Sequence, residues 1–234
     1  MPQPAGKVYH SGHLLFLARK CYERITVGHE SESQIVIILA AVALEGFLND
    51  LEHHGDWVTT LQGSPVASNL ARVLSEAERG RASSLLKIDL AHLVLTGTLP
   101  DKGSQRYQDI QLLFNVRNRL VHAKPEVLQY AEAGEQPEYP DIVKRFVSRG
   151  VIPLPTNPSI GWTEYVLVPP VAAWSYNTVV EAMKWFASNA SREPLLKTAL
   201  DQFTSSLRPI TAQNEPPRPG GALILEISQP DKEP

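Results

Sequence analysis

The stretch IVIILAAVAL, residues 35–44, constrains this chain more than any other. Ten consecutive apolar residues, closed by Glu45, are too few to cross a bilayer, so the segment reads as core. Just upstream, Ser31 and Gln34 stand three apart in SESQ, the spacing of a helix capping box. The element they open is a helix expected to run to about His53 and to end near Gly55. With 43% hydrophobic and 20% charged residues, the chain is neither disordered nor membrane-bound by composition, and 234 residues suit one domain.

The surrounding sequence reads as helix after helix. Leu14, Leu15, Leu17, Ala18, Cys21, Tyr22 and Ile25 recur at helical spacing within 8–27. Ser64-Pro65 starts a third helix, or a broken pair, carrying Leu70, Leu74, Leu86, Leu90 and Leu93. TGTLPDKGS, residues 96–104, is a loop by its glycines and proline. A further helix from Ser104 places Ile110, Leu113, Phe114, Leu120 and Val121 on one stripe. Composition then shifts: residues 124–170 hold eight prolines and three glycines, with strand candidates in GVIPLP and EYVLV. Residues 171–188 restore a helix and 193–206 add a short one. From Arg208 there are six prolines in 27 residues, which predicts a mostly disordered tail. The fold class expected is mainly α: an antiparallel four- to five-helix bundle over 1–206. It carries an irregular insertion at 124–170 with room for a β-hairpin, and a Pro-rich tail at 207–234.

MPQPAGKVYH has no positive segment followed by an apolar one, so it does not read as a signal peptide. The lone Cys21 allows neither an internal disulfide nor a Cys-rich zinc site. A cytoplasmic protein with no membrane partner is expected. The net charge of −3 argues against nucleic-acid binding by overall field, leaving only a local basic patch for such contacts.

One such patch closes the helix that starts at Ser104. NVRNRLVHAKPE, residues 115–126, holds Arg117, Asn118, Arg119, His122 and Lys124 ahead of Pro125, which ends the helix. Asn118 and His122 are four apart and Arg119 and His122 three, so those side chains share a face. Arg117 lies about 140 degrees round from His122 and falls on the line of Ile110, Leu113, Phe114 and Val121. An arginine in an apolar stripe needs a partner. Glu45 is the only charged residue from Ser33 to Asn49, so the two are expected to pair.

Arg117-Asn118-x3-His122 resembles the R-x4-6-H motif of the HEPN superfamily, the higher eukaryotes and prokaryotes nucleotide-binding domains. ILAAVALEGFLNDL, residues 38–51, resembles the glutamate-bearing second helix of many members. The likeness covers roughly 8–123 and the helix from 171, leaving insertion and tail outside. It implies a homodimer whose motif helices meet, and in active members a metal-independent endoribonuclease of toxin or defence type. RNA would be the substrate, a cognate antitoxin protein a partner, and no cofactor would be needed.

The residue types suit that chemistry. A histidine can draw the proton from a ribose 2′-OH, and a bidentate arginine can hold the charge building on phosphate. His122 would be acid/base, Arg117 the phosphate clamp, Asn118 the orienter, and Arg119 and Lys124 further RNA contacts. A plainer reading uses the same residues: Arg117 and Glu45 as a structural ion pair, His122 as a helix cap, and the domain as a catalytically inactive module binding a partner protein or nucleotide.

Other clusters carry less. DLEHHGD, residues 50–56, lacks the spacing of a metal motif and reads as a solvated helix end. Ser84-x-x-Lys87 matches a serine–lysine pair without its companion motifs. Periodicity puts Trp174 and Trp185 in the core, and leaves Trp162 and Tyr165 as surface candidates for stacking bases.

Overall fold

Helix α2, Ser33–Gln62, carries the apolar run and forms the axis of the structure. The structure is a computed structural model, and it describes residues 9–25, 32–122, 124, 139–155 and 161–211. Around α2 stand α1 (Ser11–Ile25), α3 (Pro65–Arg79), α4 (Ser84–Thr96), α5 (Gln105–Val121), α8 (Pro169–Asn189) and α9 (Pro194–Ser205), each in contact with it. Two short helices, α6 (Asp141–Ser148) and α7 (Trp162–Val166), complete nine among the described residues, and the chain is mainly α.

The axis is longer than its sequence suggests. Gly55, the expected stop, lies inside α2, which runs on to Gln62 and ends at Gly63, whose left-handed φ of 64° suits glycine. Gly55 instead makes room for a neighbour. A Cβ there would meet the Ala67 carbonyl oxygen at 2.8 Å and the Ala71 nitrogen at 3.2 Å, so α3 packs its backbone against this position. At full length α2 is apolar enough to cross a membrane, the one such helix among the described residues, yet thirteen of its residues are buried against its neighbours.

The close approach of α3 gives a testable expectation. Gly55→Val should destabilise the protein by about 2–3 kcal/mol, because the opposing atoms are backbone and cannot rotate away. A melt should fall by roughly 4–12 °C in a chain of this size. Gly46 is the internal control: its Cβ would meet nothing closer than 3.6 Å, so Gly46→Ala should leave the melt unchanged or raise it.

Serines begin the next three helices. Ser64, followed by Pro65, accepts from the Ala67 N–H at 3.1 Å, Ser83 from Leu86 at 3.3 Å and Ser104 from Tyr107 at 3.4 Å. The third helical segment is therefore the broken pair, α3 and α4. Ser31 lies outside the described residues, and Glu32, directly before α2, makes no side-chain cap.

Among the described residues of 124–170 there is no strand. EYVLV lies largely in α7, where Trp162 and Val166, four apart, bury the same face; that is helical spacing. GVIPLP, residues 150–155, has no ladder partner there either. Trp162 is buried, not a surface residue, and Tyr165 is half-buried with its ring edge-on to Tyr139 at 6.3 Å. The chain also stays packed beyond 206: Ile210 is buried, and its backbone is held on both sides by the Asn177 amide at 2.7 Å. The rest of the expected tail, 212–234, lies outside the described residues.

Candidate functional site

The end of α5 is placed by its apolar length. Ile110, Leu113, Phe114 and Val116 are buried, and α5 contacts α2 and α8. Arg117 follows on the same side, and its Nη2 forms an ion pair with Glu45 Oε1. The pairing of the two lone charges is therefore present. It is not deeply buried: the side chains of Arg117 and Glu45 are 18% and 33% exposed. The remainder of the guanidinium is also placed by its neighbours. Its Nη1 donates to Asn118 Oδ1 at 2.9 Å and it lies 5.8 Å over the Phe114 ring, while its buried Nε has no partner among the described residues.

Ser84 is the member the sequence did not assign to this cluster. Its hydroxyl donates to Glu45 Oε1 at 2.6 Å, so the carboxylate oxygen that holds Arg117 is fixed from α4 as well. One turn on, Lys87 donates to Asn49 Oδ1 at 3.3 Å and pairs with Glu78. Ser84 and Lys87 thus belong to the surroundings of Glu45, and neither makes a hydrogen bond to the other among the described residues. The only signal was their helical phase, which turns both toward α2.

Beyond Arg117 the helix emerges into solvent. Asn118, Arg119, His122 and Lys124 are exposed, as is Val121, which the apolar stripe had placed in the core. Val121 sits in the last turn, past the reach of the elements that cover Phe114. His122 closes α5 through its backbone, the N–H donating to the Asn118 carbonyl at 2.9 Å. Arg119 and Lys124 have no ion-pair partner among the described residues. The structure therefore gathers Arg117, Asn118, Glu45 and Ser84 into one contact network. It leaves the cations Arg119 and Lys124, with His122 between them in sequence, exposed beside it.

The acid- and histidine-rich stretch of α2 divides differently from expectation. It is not a helix end. Asp50 is buried and accepts from both the backbone N–H (3.3 Å) and the hydroxyl of Ser11, which fixes the start of α1. His54 stacks on Tyr9 at 4.5 Å, and burial holds its imidazole below the usual histidine range. Among the described residues no group of three histidine, cysteine or carboxylate side chains could hold a metal ion.

A separate cleft, with a volume of about 530 Å³, lies between the start of α5 and α8. Arg106 lines it, eleven residues and roughly 17 Å along α5 from Arg117. Among the described residues the motif end is a solvent-facing turn, with Asn118, Arg119, His122 and Lys124 exposed. Comparison with protein-family models, curated proteins and solved structures gives no match to this chain.

Proposed function

We propose that this chain is a metal-independent endoribonuclease of the HEPN type, in a toxin or defence role, built as a helical bundle over 1–206. The observation that carries the reading is the motif end of α5: an arginine fixed by Glu45 and Asn118, beside a solvent-facing turn bearing His122, Arg119 and Lys124. RNA cleavage by transesterification needs those parts. His122 takes the 2′-OH proton, the 2′ oxygen bonds to the adjacent phosphorus, and the P–O5′ bond breaks. Arg117 holds the phosphate oxygens as charge builds on them, with Asn118 fixing the guanidinium. The departing 5′ oxygen needs a proton, and one protomer offers a single motif histidine.

A homodimer supplies the second. Pairing two α5 ends about a two-fold axis brings His122 of both copies to one groove, with Arg119 and Lys124 on its rim. Val121, in the last turn of α5 directly before His122, is apolar and 52% exposed and would be covered by such a pairing. The local cationic end also answers the objection raised by a net charge of −3. A cytoplasmic location and a cognate antitoxin protein belong to the same reading.

The test incubates purified wild type and His122→Ala with mixed RNA in EDTA. Wild type should cleave, and the variant should lose about 10²–10⁴-fold. Equal absence of cleavage by both would overturn the enzyme reading. Light scattering at micromolar concentration should report about twice the 25.9 kDa chain mass, and a strict monomer would count against the shared groove. One observation favours the second reading, an inactive module that binds a partner protein or nucleotide: Glu45 already occupies the guanidinium that RNA would need.

A further inference from the structure

The large cleft between α5 and α8 has a wall that already holds a piece of chain. Past α9, the Arg208 carbonyl accepts from Arg19 Nη1 of α1 at 3.0 Å. Two residues later the Asn177 side chain accepts from the Ile210 N–H and donates to its carbonyl, both at 2.7 Å, pairing with that residue as a strand neighbour would. Asn177 lines the cleft. Successive anchors on α1 and then α8 thus hold the backbone at Ile210 against Asn177, a residue of the cleft wall.

The chemistry of the cleft suits the residues beyond Thr211. Its floor includes Trp174, Ala173, Val151 and Pro170, while exposed Arg106 and Glu181 stand on the rim. Arg106 lies 5.7 Å over the Trp185 ring, and neither rim residue has an ion-pair partner among the described residues. The sequence after Thr211 is AQNEPPRPGG, residues 212–221. Three prolines in Asn214–Pro219 favour polyproline II, an extended form that gives up little entropy on docking and fits aromatic-lined grooves. Its period of three puts Glu215 and Arg218 on one edge, about 9 Å apart, with charges opposite to Arg106 and Glu181. Four residues from Ile210 to Asn214 span up to about 13 Å, enough to enter an adjoining cleft.

We propose that this cleft is the docking site for the proline-rich segment Asn214–Pro219 of the same chain, with the prolines against Trp174 and Arg218 toward Glu181. Tethering at Ile210 gives the segment an effective concentration in the millimolar range, so the cis segment outcompetes the same sequence offered free.

The experiment uses the full chain and a fluorescent peptide of residues 212–221, read by anisotropy. Wild type should bind the peptide weakly, because the cleft is filled. A variant with Pro216, Pro217 and Pro219 all changed to alanine should bind it at least tenfold tighter, with an unchanged melt. Adding Glu181→Arg to that variant should lower binding at least tenfold, and a peptide with Arg218→Glu should recover part of it. Equal binding by wild type and the triple variant would overturn the proposal, as would no binding by either or no effect of Glu181→Arg. Blockage in wild type that appears only as protein concentration rises would assign the segment to a second copy and overturn the cis arrangement.

Discussion

Phe47→Ala should lower the stability of this protein by about 3–5 kcal/mol, a large share of the roughly 5–15 kcal/mol typical of a domain. Phe47 is 1% exposed near the middle of α2. Its ring centroid lies 5.9 Å from that of Phe186 on α8 and 5.8 Å from that of Phe203 on α9, so one side chain joins three helices. Such pairs add about 0.5–1.5 kcal/mol beyond the apolar area they bury. The vacated space cannot close readily, because α2 is held by six other helices and a rigid-body shift would disturb all of them. Phe47→Leu keeps most of the volume and should cost less than half as much. A chemical-denaturation loss below about 1.5 kcal/mol for the alanine variant would show that α8 and α9 do not close over α2.

Much of this arrangement was legible because it rests on periodicity and on solitary charges. The apolar run, the serine starts at Ser64 and Ser104, and the pairing of Glu45 with Arg117 all follow from residues that stand out against a uniform background. What was missed depends on neighbours distant in sequence. Gly55 looks like a stop until the Ala67 carbonyl is seen against it. EYVLV has the composition of a strand, but burial of Trp162 and Val166 on one side makes it helical. Val121 continues an apolar stripe whose cover has already ended. The cleft could not be read at all, since its walls come from residues near 106, 150 and 177 that share no motif. Ser84 lay between: the sequence marked it beside Lys87, but only the packing of α4 on α2 shows that its partner is Glu45.

The decisive comparison for the motif is between the two ends of its ion pair. Arg117→Ala should cut RNA cleavage about 10²–10³-fold, the usual effect of removing one donor to a developing oxyanion. It should destabilise by only about 1–2 kcal/mol, below the 3–5 kcal/mol of a fully buried pair, because water reaches part of Glu45. Glu45→Gln perturbs the same contact from the other side. The amide keeps the shape and can still accept from Ser84, so the stability loss should be similar, but Arg117 is then released from a competing anion. If the guanidinium clamps phosphate, cleavage by Glu45→Gln stays within tenfold of wild type or rises, while Arg117→Ala remains nearly inactive. If the pair is only structural, the two variants lose activity together, in proportion to their melting temperatures. The double variant closes a cycle in which the stability effects couple through the lost contact. Equal activity losses at matched stability would remove Arg117 from the reaction and leave the cationic end of α5 as a binding surface.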